Sequence, residues 1–211
     1  MTKSPKTKKL TDILLIFLLV FSLLTVIYFG SVIVHKSARI YRVTLFGAIF
    51  FASESILKSL YPLHYDEFVE VYAKENNLSP FFVYAVIKCE SGFDKNAVSY
   101  LDAKGLMQIM PETFLWLQEK RGEKLPEESI FEPETAIDYG CYFYGMLLEQ
   151  FGDEATAVAA YHAGAASVEE WLENPDYSDD GRTLKDIPYP STKKYVERVM
   201  KTKNIYTNLY K

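Results

Sequence analysis

The chain has 211 residues, 49% of them hydrophobic and 15% aromatic, which is enough for one folded domain plus an accessory segment. Its net charge of −5 hides an uneven split: residues 1–60 carry 8 lysines and arginines against 2 acids, and residues 61–211 carry 15 against 26. The acidic larger part excludes a nucleic-acid partner, which needs phosphate-neutralising cations. The two cysteines show no metal-ligand spacing, so no metal site is expected.

Residues 1–12 are basic, with Lys3, Lys6, Lys8 and Lys9. The apolar run 13–34 that follows is long enough to cross a bilayer as a helix, which takes about 20 residues. A cleaved signal would have a shorter core and a small-residue cleavage site, so the run predicts an uncleaved, single-pass signal anchor. The basic flank predicts a cytoplasmic N-terminus and places the following residues outside the cell. Residues 35–60 read as a juxtamembrane linker or a helix lying in the interface.

From residue 61 onward no strand pattern stands out. Residues 65–76 place Phe68, Val69 and Tyr72 on one helical face. Ser79-Pro80 reads as a cap followed by a first-turn proline, opening a helix that is apolar on nearly all sides through Ile87. That helix ends at Glu90-Ser91-Gly92, with Gly92 suited to a left-handed backbone. A carboxylate there is both stripped of water and set at the negative end of the helix dipole. Both effects favour the neutral acid. Taken alone, however, Glu90 could equally be a surface residue closing a helix.

A polar connection, residues 92–105, leads to Gly105-Leu106-Met107-Gln108-Ile109-Met110 and to a helix opened by Pro111. Gln108 could hydrogen-bond a ligand amide or hydroxyl, whereas Met107 and Met110 read as core fillers by residue type. Further helices are predicted from Pro133 to Gln150, from Glu154 to His162 under an Asp153 cap, from a Ser167 cap to Leu172, and from Ser191 to Leu209. Cys89 and Cys141 both fall on predicted helices. They are either a bridge, if the domain lies outside the cell, or two buried thiols. The fold class is all-α, compact and multi-helical.

Four segments in order then carry a resemblance. They are Glu90-Ser91-Gly92-Phe93 with Asn96-Ala97-Val98-Ser99 and Gly105 to Thr113; Phe131 to Gly140; Ala160-Tyr161-His162-Ala163-Gly164; and Ile187-Pro188-Tyr189-Pro190 with Tyr195-Val196. Together they resemble the soluble lytic transglycosylase (SLT) domain family, which is lysozyme-like and related to goose-type lysozymes. The resemblance covers roughly 61–207.

It implies a lysozyme-like domain over 61–211, with Glu90 as sole catalytic acid/base and Ser99, Met107, Gln108, Tyr161 and Tyr195 lining a glycan cleft. The implied reaction cleaves the β-1,4 bond between N-acetylmuramic acid (MurNAc) and N-acetylglucosamine (GlcNAc) in peptidoglycan. A single acid suffices because the substrate's own acetamido group assists, and the product is a 1,6-anhydro sugar. No cofactor is implied. With the anchor, the expected location is the bacterial cell membrane, with the domain extracytoplasmic. Two positions depart from the family pattern: His162 stands where asparagine is common, and Ser191 stands where glutamate is common. A muramidase that admits water, and a non-catalytic glycan-binding scaffold, are the alternative functions.

Overall fold

A computed structural model describes residues 18–25 and 54–211 of the chain. Two compact units are distinguished, Met1–Ile56 and Leu57–Lys211. In the first, residues 18–25 are helical, and 18–24 are exposed. Most of the expected membrane span, 13–34, lies outside the described residues, as do the basic tail 1–12 and residues 35–53. No described helix is long and apolar enough to cross a membrane.

The second unit holds seven α-helices among the described residues from 66 onward: α1 (Asp66–Glu75), α2 (Pro80–Glu90), α3 (Pro111–Arg121), α4 (Pro133–Phe151), α5 (Glu154–Ala163), α6 (Ala165–Glu173) and α7 (Pro190–Tyr210). A 3-10 turn, Glu127–Phe131, joins α3 to α4. Among the described residues the only sheet-like pairing is two isolated bridges, Val98 with Lys104 and Lys104 with Ile109. The domain is all-α, as the patterning predicts.

Four of the helices begin with a proline in the first turn, where the missing N–H has no partner to lose. Ser79 occupies the N-cap of α2 but its side chain makes no cap bond, whereas Asp153 accepts the Thr156 N–H at 2.8 Å to start α5. The predicted Ser167 cap is corrected: α6 starts at Ala165, directly after α5. Gly164, at φ +88°, lets the chain leave one helix and begin the next without a linker.

Helix α2 is the centre of the core. Phe82 to Ile87 are all buried, and the helix packs chiefly on α7, with α1 against it as well. Helices α4, α5 and α7 pack in series to form the body that faces the end of α2. Tyr206 and Tyr210 on α7 donate to the carbonyls of Pro62 and Tyr61, tying the start of the domain to its last helix. On the far side, Arg121 makes two bonds to Asp138, at 2.6 and 2.8 Å. Its guanidinium also lies over the rings of Tyr139 and Tyr142. The two cysteines are free: Cys89 faces Thr202 on α7, and Cys141 is buried on α4. Of the two readings left open by the sequence, the structure has unpaired thiols.

Candidate active site

Glu90 is the last residue of α2, and Ser91 and Gly92 turn the chain away from it. The Ser91 hydroxyl donates back to the Ile87 carbonyl and accepts the Phe93 N–H, while Gly92 takes φ +62°. This turn holds the carboxyl at the edge of the core with one side open.

Burial pushes the Glu90 carboxyl from its ordinary 4.5 up to about 7. A hydrogen bond donated by the Tyr195 hydroxyl to Oε1 and the nearby Arg198 guanidinium act in the opposite direction and do not overcome it. The dominant cause is thus loss of water, set by the apolar body of α2. Among the described residues no second carboxylate contributes to the shift.

Three tyrosines back the acid. Tyr195 on α7 is buried, and its hydroxyl also meets that of Tyr144 on α4 at 3.1 Å. An ionised Glu90 can only accept, so Tyr195 spends its one proton there and Tyr144 donates to Tyr195. The Tyr144 ring stacks on Tyr161 at 4.1 Å with planes 6° apart. Tyr161, half-buried on α5, donates to the Met107 carbonyl at 2.8 Å. Burial raises the pKa of all three phenols well above 10, with Glu90 adding to each, so they are neutral donors near pH 7. His162 stacks on the Tyr195 ring at 4.7 Å, and its Nδ1 lies 3.1 Å from the Thr192 hydroxyl.

The segment from Ala97 to Met110 is folded by its own polar groups. Ser99 Oγ accepts the N–H groups of Leu101 and Ala103, and Gln108 Nε2 donates to the carbonyls of Ala97 and Gly105 at 3.1 Å each. Both side chains are partly exposed, and the bonds described serve the loop itself. Gly105 has φ +73° and sits so close to the Ile130 carbonyl that a Cβ would lie 2.4 Å from its oxygen. Met107 is wholly buried, with its side chain against Gly140. The core role suggested by residue type holds for Met107 but not for Met110, which is 39% exposed. The Met107 carbonyl, through Tyr161, is what serves the site.

Of the residues named from sequence, Glu90, Tyr195, Tyr161 and Met107 are thus joined by hydrogen bonds and ring contacts, while Ser99 and Gln108 shape the neighbouring loop. Two residues were missed, Tyr144 and Arg198. Arg198 had a faint signal, lying four residues after Lys194 and three after Tyr195. Tyr144 had none, because α4 carries several aromatics at helical spacing. Among the described residues no group of His, Cys, Asp and Glu is arranged to hold a metal.

Residues 67–183 match the family model for the transglycosylase SLT domain. The soluble lytic murein transglycosylase of Salmonella typhimurium is 31% identical over 152 residues, covering 68% of this chain and 23% of that one. The membrane-bound lytic murein transglycosylase C of Actinobacillus pleuropneumoniae is 23% identical over 164 residues, covering 67% of this chain and 45% of that protein. Among solved structures, the lytic transglycosylase Slt of Pseudomonas aeruginosa, in an inactive Glu-to-Gln form, has a TM-score of 0.64 and 29% identity. The match covers 72% of this chain and 25% of that one. The chain therefore spans about a quarter of the length of the soluble relative and less than half of the membrane-bound one.

Proposed function

The chain belongs to the transglycosylase SLT domain family, and we propose that it is a peptidoglycan lytic transglycosylase with Glu90 as its single acid/base. The observation that carries this reading is the Glu90 carboxyl itself, pushed to about 7 by burial and braced by Tyr195. A general acid works best when its pKa lies near the working pH.

The reaction proposed for this site cleaves the β-1,4 bond between MurNAc and GlcNAc. Tyr195 donates to Oε1, which leaves Oε2 to carry the proton that passes to the bridging oxygen as the bond to C1 breaks. The 2-acetamido oxygen of the muramyl residue stabilises C1 from the other face, the role a second carboxylate has in most glycosidases. Among the described residues no second carboxylate shifts Glu90, which supports this division of labour. Glu90, now ionised and held in place by the Tyr195 bond, takes the proton of the muramyl C6 hydroxyl. That oxygen attacks C1 and closes the 1,6-anhydro ring. The chain Tyr144–Tyr195–Glu90 holds the carboxyl still through both proton transfers, and the half-buried Tyr161 ring, backed by the buried Tyr144, gives the sugar a firm wall. Tyr161, Gln108 and Ser99 are the proposed edge of the glycan cleft, with Met107 supporting Tyr161 from behind.

We further propose that residues 13–34 anchor the protein in the bacterial cell membrane, with the domain on the extracytoplasmic side where peptidoglycan lies. The apolar run supports this, and a membrane-bound relative is consistent with it. The test of the enzymatic reading is release of soluble muropeptides from purified sacculi by the full chain in detergent. Release that disappears in Glu90→Gln supports it. Retention of sacculi without release would instead favour a glycan-binding scaffold.

A further inference from the structure

Tyr195 has two neighbours of opposite character. Its hydroxyl is given to Glu90, and the same side chain lines an open pocket of about 190 Å³ together with His162, Ser191, Lys194 and Arg198. The pocket thus lies one side chain away from the acid.

Its charge is unusual for this domain, which carries 26 acids against 15 bases over residues 61–211. Lys194 and Arg198 stand at i and i+4 on α7, a spacing at which like charges repel. Two other cations on the helix are neutralised, Lys193 by Asp186 and Lys203 by Glu154. Among the described residues neither Lys194 nor Arg198 has an ion pair of its own, although Glu197 lies between them in sequence. Arg198 lies 5.6 Å from the Tyr195 ring centre, where its fork of donors flanks the pocket. His162 adds a hydrogen-bonding nitrogen rather than a third charge. Burial and Arg198 keep its pKa below the ordinary value, and Thr192 occupies only its Nδ1. Two cations without an ion pair in a concave site fit an anionic ligand, and a planar guanidinium with an ammonium suits a carboxylate.

We propose that Lys194 and Arg198, with His162 beside them, form a subsite for a carboxylate carried by the muramyl residue that is cut at Glu90. The proposal rests on the reading of the site given above. In that substrate only the muramyl sugar bears an acidic arm. Its lactyl carboxyl is either free or joined to a peptide that has carboxylates of its own. The subsite would let the enzyme tell the muramyl residue from its neutral neighbour, and so fix which sugar is presented to Glu90.

The test uses the full chain in detergent, with Lys194→Gln, Arg198→Gln, the double variant, and Lys193→Gln as a control outside the pocket. Three insoluble substrates are compared: sacculi with intact peptides, sacculi stripped of peptides so that the lactyl carboxylate is free, and peptide-bearing sacculi whose carboxylates have been converted to amides. Initial rates and co-sedimentation are both read. Each pocket variant is expected to lose roughly tenfold in rate or retention on a carboxylate-bearing substrate, the usual effect of deleting a hydrogen bond to a charged group. Lys194→Gln should not lose on the amidated one, where the parent chain itself falls to the level of that variant. The substrate on which the loss appears identifies the carboxylate, lactyl or peptide.

Arg198 also acts on Glu90, so the Lys194→Gln ratio between substrates is the decisive number. Equal losses on amidated and carboxylate-bearing sacculi, or no loss at all, would overturn the subsite. Should the parent chain release nothing, the enzymatic reading fails by itself. Carboxylate-dependent retention through Lys194 and Arg198 then still supports the subsite, and its absence overturns it.

Discussion

Replacing Glu90 with glutamine removes a titration that the fold resists. In the unfolded chain the carboxyl ionises near 4.5, and in the folded chain near 7. Between those values unfolding releases a proton. The stability that a neutral Glu90 allows is therefore whole below 4.5 and is lost as pH rises through 7. At about 1.4 kcal/mol per pH unit the gap corresponds to about 3 kcal/mol, and partial exposure of the side chain trims this to about 2–3 kcal/mol. Glutamine keeps an oxygen for Tyr195 and has no charge to bury. Chemical denaturation of the full chain and of Glu90→Gln, followed by tyrosine and tryptophan fluorescence, gives the difference in unfolding free energy at each pH. The variant is expected to gain on the parent by about 2–3 kcal/mol between pH 4.5 and 8, and to be the more stable protein at pH 8. Parallel stability curves across that range would mean that the carboxyl is not held neutral by burial, and the argument for Glu90 as an acid near neutrality would fall with it.

Activity on sacculi is expected to decline above pH 7 as Glu90 ionises. Tyr195→Phe deletes a bond that favours the ionised form, so the alkaline limb should move up by as much as about one pH unit while the rate falls. A limb that stays in place would separate Tyr195 from the acid. Gly140→Ala sets a Cβ 2.2 Å from the Met107 sulfur, and relieving the overlap is expected to cost about 1–3 kcal/mol, read as a lower melting temperature. Arg121→Lys keeps the charge but loses the two-pronged bond to Asp138 and the stacking on Tyr139 and Tyr142. A loss of about 2 kcal/mol in unfolding free energy, with activity per folded molecule unchanged, is the expected outcome.

Much of the helical plan was legible because its signals are local. Prolines 80, 111 and 133 each open a helix where the sequence places one, and the last helix starts at Pro190, one residue before the expected Ser191. Glu90 could be singled out because an apolar helix ending in a carboxylate is an electrostatic anomaly within one stretch of chain. In the folded chain burial is the largest cause of the raised Glu90 pKa. Ser167 misled because the start of α6 is set by the backbone of Gly164 and needs no side-chain cap. Tyr144 and Arg198 were out of reach for a different reason. Tyr144 acts across 51 residues of sequence, through a hydroxyl that meets Tyr195 only once α4 and α7 have packed. Arg198 matters by its nearness to Glu90 and by having no ion pair among the described residues, and both are properties of the assembled surface. The side chains of Ser99 and Gln108 show the same limit in reverse. Their residue types suit sugar binding, yet bonds within the loop already engage both.

The mass of the sugar product decides the chemistry. Full chain in detergent is incubated with purified sacculi, and the released muropeptides are weighed by mass spectrometry beside those from Glu90→Gln. Muropeptides lighter by one water than the hydrolytic species, and missing from the variant, are what intramolecular attack under control of Glu90 predicts. Products that have gained water would identify a muramidase and contradict the ring-closing step. Anhydro products that persist in Glu90→Gln would contradict the role of Glu90.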